Sequence, residues 1–217
     1  MIPIRDDHPS GSVPIVTWLL IISNTLVLVY MLFLPDAQLE AFLNSYAMVP
    51  AEIVAHHHLQ TLFTSMFLHA GFGHLIGNML FLYIFGDNLE NEFGGFKYLG
   101  LYLIGGLGAS LLQIIVDPTS TIPNLGASGA IAGLMGGYLI LFPDNRIDVL
   151  FTLGPIWTPA DVPAHFMIVY WFVAQLFYGV GSIGGASSGG VAYFAHIGGF
   201  TTGCLLCYMY KKSTASG

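Results

Sequence analysis

Charge is what this chain has least of. Asp, Glu, Lys and Arg make up 8% of its 217 residues and 55% are hydrophobic, whereas soluble domains run to about a quarter charged. That composition excludes an ordinary water-soluble globular domain. Basic residues are scarcest: the five Lys and Arg form no patch that could hold a nucleic acid, so nucleic acid is excluded as a partner. Cysteine is nearly absent as well. Cys204 and Cys207 lie three apart in an apolar stretch with no second ligand pair nearby, so this C-x-x-C is read as packing, not as a metal or redox site. With no repeat of fixed period, low-complexity tail or linker, the chain is read as a single domain, 1–217.

What is present instead is a series of uncharged runs near the ~20 residues that a transmembrane helix needs. Val13 to Leu34 contains no charged residue and lacks a basic start followed by a small-residue cleavage site, so it reads as a retained helix. Further spans are expected at Phe72 to Phe85, Tyr98 to Val116, Leu125 to Phe142, Phe166 to Val180 and Gly190 to Tyr210. The fold class is therefore all-α, a polytopic six-span bundle in a lipid bilayer. Asn145 to Phe166 contains Pro155, Pro159 and Pro163 and is read as a loop touching the interface.

Orientation follows from Lys and Arg, which concentrate in short cytoplasmic loops. Arg5 precedes the first span, Lys97 lies between the second and third, Arg146 between the fourth and fifth, and Lys211 and Lys212 follow the last. All five fall on one side. The opposite loops, Pro35 to Gly71, Asp117 to Asn124 and Gly181 to Gly189, contain none. An even number of spans with both termini cytoplasmic explains this.

Polar side chains inside such spans are costly, so each one is a candidate functional group. His74 and His196 qualify, and both lie near the non-cytoplasmic ends of their spans, as does Ser128. At 1.5 Å per residue, Ser128 and His196 lie within ~10 Å of the outer ends of their helices. Asn78 is one turn from His74 and projects from the same face. The helices of Ser128 and His196 also carry small residues every fourth position: Gly129, Gly133 and Gly137 on one, Ala195, Gly199 and Gly203 on the other. Such faces let backbones approach closely, and proton transfer from a serine to a histidine needs a separation of ~3 Å. Gly126-Ala127-Ser128-Gly129 adds a G-x-S-G signature that is weak alone.

These residues, in this order and spacing, resemble the rhomboid family of intramembrane serine proteases. The resemblance rests on His74-Leu75-Ile76-Gly77-Asn78, Gly126 to Gly129 and Ala195-His196-Ile197-Gly198-Gly199-Phe200, with Met66 to Gly71 and Phe85 to Asn88 around the second span. The opening Ile2 to Asp7 is similar to a prokaryotic subgroup, which implies a bacterial or archaeal cell membrane. The family implies a Ser-His dyad: Ser128 as nucleophile, His196 as base and then acid. It also implies an oxyanion hole from His74, Asn78 and the Ser128 backbone N–H; Gly126, Gly129, Gly133, Gly199 and Gly203 are read from their spacing as structural support. It further implies a site opening to the non-cytoplasmic side, span five as a lateral gate, and membrane-protein substrates with a transmembrane helix. No metal or cofactor is required.

Two departures stand out. Some members carry an aromatic residue four positions after the serine, stacked on the histidine, where this chain has Ala132; many have a Trp-Arg pair where this chain has Gln60-Thr61. His69 is expected to fasten the first outer loop, and His56, His57 and His58 read as interfacial loop, not as metal ligands. The glycine- and serine-rich Gly181 to Gly190 reads as a cap or a plain connector. Two rival readings are a small transporter using His74, His196 and Asn78 as a relay, and a non-proteolytic rhomboid-like protein that binds membrane clients.

Overall fold

The computed structural model describes residues 1–153, 156–182 and 191–215. Its elements are β1 (Ile2–Asp6), α1 (Ile15–Leu32), α2 (Asp36–Tyr46), α3 (Pro50–Val54), α4 (Thr61–Thr64), a 3₁₀ turn (Ser65–Phe67), α5 (Phe72–Phe93), α6 (Gly95–Val116), α7 (Ser128–Leu141), β2 (Arg146–Leu153), β3 (Ile156–Pro163), α8 (Ala164–Ser182) and α9 (Tyr193–Thr214). It is a helical membrane bundle with a small sheet at one end.

The outer surface is that of a protein dissolved in lipid. Phe96, Phe177 and Ile115 are 91%, 77% and 72% exposed, which would promote association in water but matches a hydrocarbon solvent as apolar as the side chains. Helix α1 shows the pattern locally: Thr17, Leu20, Asn24, Leu28 and Met31 recur at helical spacing on the buried face, while Leu19, Ile22 and Leu26 face outward. Ile15–Leu32, Gly95–Val116 and Ala164–Gly181 are each long and apolar enough to cross a membrane, and Thr61–Phe67 with Phe72–Phe93 would add a fourth if taken together, although the two meet at 96°. Among the described residues, length and apolarity alone therefore do not reach a count of six. Helix α7 is short, and α9 is diluted by His196, Thr201, Thr202, Lys211 and Lys212.

Helix α7 is the axis of the bundle. All ten residues from Gly129 to Tyr138 are buried, because α5, α6 and α9 pack around it. The glycines make this possible. A Cβ on Gly199 would collide with the carbonyl oxygen of Gly129, and one on Gly203 with that of Gly133. Helix α6 joins them from a third side: a Cβ on Gly133 would lie 3.0 Å from Gly105 Cα. Backbone-to-backbone contact of this kind maximises dispersion where no hydrophobic effect drives helices together.

The segment read as an interfacial loop is instead a β-hairpin. Strands β2 and β3 pair antiparallel, Arg146 opposite Pro163 and Leu150 opposite Pro159, and β1 pairs with the other edge of β2. Pro159 and Pro163 suggested a loop, but an edge strand has one side without a ladder partner and tolerates them. The alternation was the better signal: Ile147 and Val149 are fully buried, while Arg146 and Asp148 point outward to Asp161 and Arg5.

That sheet is fastened by a buried polar latch. Tyr138 Oη donates to Asp6 Oδ2, Asn88 Nδ2 donates to the same oxygen at 2.5 Å, and Asn145 Nδ2 donates to Tyr138 Oη at 2.9 Å. Asp87 receives the Ser10 N–H and hydroxyl. Glu90 receives the Val16 and Thr17 N–H groups, both at 2.8 Å, and so supplies the cap that α1 lacks from its own sequence. Helix α5 therefore runs eight residues past Phe85, where its span was expected to end, because its acidic residues find donors and need not leave the protein.

Candidate active site

Ser128 is the first residue of α7, and three tethers set its position. Gly126 has φ of +126°, open to glycine but strained for other residues, and its N–H donates to Ser65 O at 2.9 Å. Met48 and Asn124 exchange backbone hydrogen bonds at 3.0 and 2.7 Å. The first outer loop thereby holds the chain entering α7. In place of a Trp-Arg pair, that loop anchors through buried Thr61, whose hydroxyl donates to His58 O, and through Thr64, whose hydroxyl donates to Tyr46 O.

His196 lies in the first turn of α9, three residues from Gly199. With α7 and α9 at glycine contact, His196 Nε2 lies 2.8 Å from Ser128 Oγ. Its other ring nitrogen, Nδ1, lies 2.8 Å from Gln175 Oε1 on α8. An amide oxygen only accepts, so Nδ1 carries the ring proton and Nε2 presents its lone pair to the serine hydroxyl. Trp171, one turn before Gln175, sets its ring 5.7 Å from the imidazole. The aromatic contact absent at Ala132 is thus made from α8.

His74 and Asn78 converge on the same turn from α5. A Cβ on Gly126 would lie 2.7 Å from His74 Cε1, 2.8 Å from His74 Nε2 and 3.6 Å from Asn78 Nδ2. The Ala70 N–H donates to His74 Nδ1 at 3.4 Å, which leaves the proton on His74 Nε2, facing Gly126. Asn78 Nδ2 lies 2.8 Å from Nε2 of fully buried His69, so one amide hydrogen is committed there and the other is free by valence. His69 thus supports Asn78 directly as well as belonging to the loop. Ser128, at the start of a helix, also has a backbone N–H with no intrahelical acceptor.

Beneath the serine is a cavity of about 50 Å³ walled by Ser65, Met66, Ala109, Ser110, Gly129 and Ala195. A larger depression of about 500 Å³ on the sheet, near Arg5, Asp148 and Asp161, is open and holds no nucleophile or histidine. The expected site residues come together, therefore, as two groups: Ser128 with His196, and His74 with Asn78 against Gly126. Other expectations fall elsewhere. His56 and His58 take positive φ, His57 pairs with Glu52 at 3.2 Å, and among the described residues no three potential ligands converge on a metal site. Cys204 Sγ donates to Gly136 O and Cys207 is buried beside Gly137. The stretch Gly181 to Gly190 lies outside the described residues from 183 onward, as does Pro155.

Sequence reasoning missed Gln175 and Trp171. The rule that singled out His74 applies equally to Gln175, an amide within the apolar run 166–180 and 9% exposed.

A buried helix starting at a polar turn, inside a bundle whose outer face is apolar, defines a multi-helix membrane protein with a polar site enclosed between its helices. The Rhomboid domain family matches residues 56–213. RHOMBOID-like protein 1 of Arabidopsis thaliana is 34% identical over 158 residues, covering 73% of this chain and 36% of that protein. RHOMBOID-like protein 6, mitochondrial, from the same plant is 33% identical over 156 residues, 72% of this chain and 45% of that one. Rhomboid-like protein 11, chloroplastic, is 34% identical over 158 residues, 69% and 51% respectively. This chain belongs to the rhomboid family. It spans between about a third and a half of the length of these relatives.

Proposed function

We propose that the protein is an intramembrane serine endopeptidase that cuts transmembrane segments of membrane proteins with a Ser128-His196 dyad. The observation that carries this reading is the 2.8 Å approach of His196 Nε2 to Ser128 Oγ, with Nδ1 occupied by an acceptor. His196 takes the hydroxyl proton as Oγ attacks the scissile carbonyl, then returns it to the leaving amine; water, activated by the same nitrogen, hydrolyses the acyl-enzyme. The Ser128 N–H, the first-turn dipole of α7, His74 Nε2–H and the free Asn78 amide hydrogen stabilise the oxyanion. A substrate helix must unwind before this, since its own hydrogen bonds shield its peptide bonds.

The site lies below the membrane surface because α7 is short. Fourteen residues at 1.5 Å give ~21 Å, against ~30 Å of hydrocarbon. Arg5 and Arg146 lie in the sheet, and Lys211 Nζ donates to Ile140 O near the C-terminus of α7, so these basic groups gather at the end opposite Ser128. Their placement supports six spans in one domain, cytoplasmic termini and a site opening to the other side of a cell membrane.

The test is cleavage of a transmembrane reporter by protein reconstituted in liposomes, with Ser128→Ala alongside. Only the unmutated protein should cut, because loss of the nucleophile costs about 10⁴- to 10⁶-fold. Equal cleavage by both would overturn the assignment. Fluorophosphonate should label Ser128 and fail in His196→Ala; an unlabelled protein that still captures membrane clients would identify a client-binding role instead.

A further inference from the structure

Among the described residues, helix α8 is the least enclosed of the three long apolar helices. Phe166, Val169, Tyr170, Val173 and Phe177 face outward. Against that background Gln175 is anomalous: a primary amide, nine-tenths buried, whose oxygen lies 2.8 Å from a histidine of another helix. Burying an amide beside apolar helices is costly unless it is matched by a specific hydrogen bond. Trp171 occupies the same face one turn away and stands 5.7 Å from the same imidazole.

We propose that Gln175 is the positioning residue for His196, fixing its tautomer and ring orientation by accepting the Nδ1 proton, with Trp171 packing the ring into the same pose. This rests on the reading of Ser128 and His196 as the catalytic pair. An imidazole held only through Nε2 exchanges tautomers and flips about its χ2. Of the four arrangements, three turn a hydrogen toward Ser128 Oγ, an N–H in one and a C–H in two, and abolish base function. An acceptor on Nδ1 removes them. An amide performs this without adding charge, so it leaves the balance between neutral imidazole and imidazolium to the rest of the site. A carboxylate in the same place would stabilise the imidazolium and shift that balance. His74 is the titratable neighbour of His196, and Ser128, Gln175 and Trp171 contact its ring.

Gln175→Met keeps the length and removes the acceptor; Gln175→Glu keeps the acceptor and adds charge. In proteoliposomes with the transmembrane reporter, Gln175→Met should lose about 10- to 100-fold in kcat, the range seen for orienting partners of metal-ligating histidines, with KM little changed. Gln175→Glu should retain cleavage, with the acid limb of its pH-rate profile displaced to higher pH. A ¹⁵N spectrum of His196 in the unmutated protein should show the proton on Nδ1 and an averaged tautomer in Gln175→Met. Full kcat in Gln175→Met, an unmoved acid limb in Gln175→Glu, or the proton on Nε2 in the unmutated protein would each overturn the proposal. The tautomer measurement decides the matter if the variants fail to fold. Cleavage that survives Ser128→Ala would instead overturn the dyad itself, a result distinct from any of these.

Discussion

The two ends of α7 carry polar groups of the same kinds arranged to opposite effect. At the C-terminal end, Tyr138, Asp6, Asn88 and Asn145, together with the backbone of His8, satisfy one another in a closed set, with Tyr138 fully buried and Asp6 7% exposed. At the N-terminal end, Ser128 and His196 are only half-buried, and their mutual hydrogen bond leaves the serine oxygen free to react. A closed network contributes rigidity, because each donor is matched. An open one keeps a reactive lone pair available. The same helix thus joins a fastened end to a working end, and disturbances at the two should separate into stability and activity.

Acid should drive the ends furthest apart. At the working end, protonated His196 cannot accept the Ser128 proton, so cleavage should fall away on acidification. At the fastened end the sign is reversed. Burial holds the Asp6 carboxyl above its ordinary value, against hydrogen bonds from Tyr138 and the His8 N–H that pull it down. The folded state therefore binds that proton more tightly than the unfolded chain. The stability this contributes is fully present below the ordinary Asp value and is lost as pH rises through the folded one. Reporter cleavage and thermal unfolding in the same acidic buffers should therefore diverge, with activity lost before the fold. Coincident loss would show that the ends are not separate.

Gly199→Ala is expected to act next most strongly, and mainly on activity. Its methyl meets the Gly129 carbonyl, one residue from Ser128, so α7 and α9 must part just where the pair meets. Overpacking costs about 1–3 kcal/mol, while a displacement near 1 Å can cost about 10²-fold in rate. Denaturation and kcat measured on the same preparation would separate the two effects. Asp6→Ala should do the reverse: with the Tyr138 hydroxyl left without its acceptor and Asn88 losing its shortest one, stability drops by about 1–3 kcal/mol, and specific activity of the folded fraction stays unchanged. The smallest effect belongs to Arg146→Ala. Its 2.6 Å pair with Asp161 is 44% exposed on both sides, so removal should cost about 0–1 kcal/mol, visible only as a slight shift in unfolding temperature.

The working end was more legible in the sequence than the fastened one, for a physical reason. Ser128, His74, Asn78 and His196 are polar interruptions of apolar runs, and membrane burial makes such interruptions conspicuous. The small-residue faces of Gly129, Gly133, Gly199 and Gly203 were legible for the same reason, although Gly105 as the third party was not. The latch lies where the chain returns to water; Asp6, Asp87 and Asn88 fall in segments that carry the family resemblance, Ile2 to Asp7 and Phe85 to Asn88, but nothing local to them marks a buried pairing. Only tertiary pairing distinguishes them. The sheet was hidden by Pro159 and Pro163, whose effect on a strand depends on whether it lies at an edge, and edge position is not written locally. Gln175 was legible in principle. It was passed over because an amide resembles a packing residue until its partner is known, and that partner is 21 residues away on another helix.

The latch and the serine are ten positions apart on one helix, ~15 Å at 1.5 Å per residue. Helix α7 is enclosed by protein along that length, so lipid does not stretch or tilt it independently. It works as a ruler with its zero mark at the sheet. The depth of the serine is set by a count of residues from that face, not by the thickness of the surrounding bilayer. If the proposed proteolysis holds, the bond presented for cutting in a thicker or thinner membrane would therefore keep its distance from the sheet side and change its distance from the other.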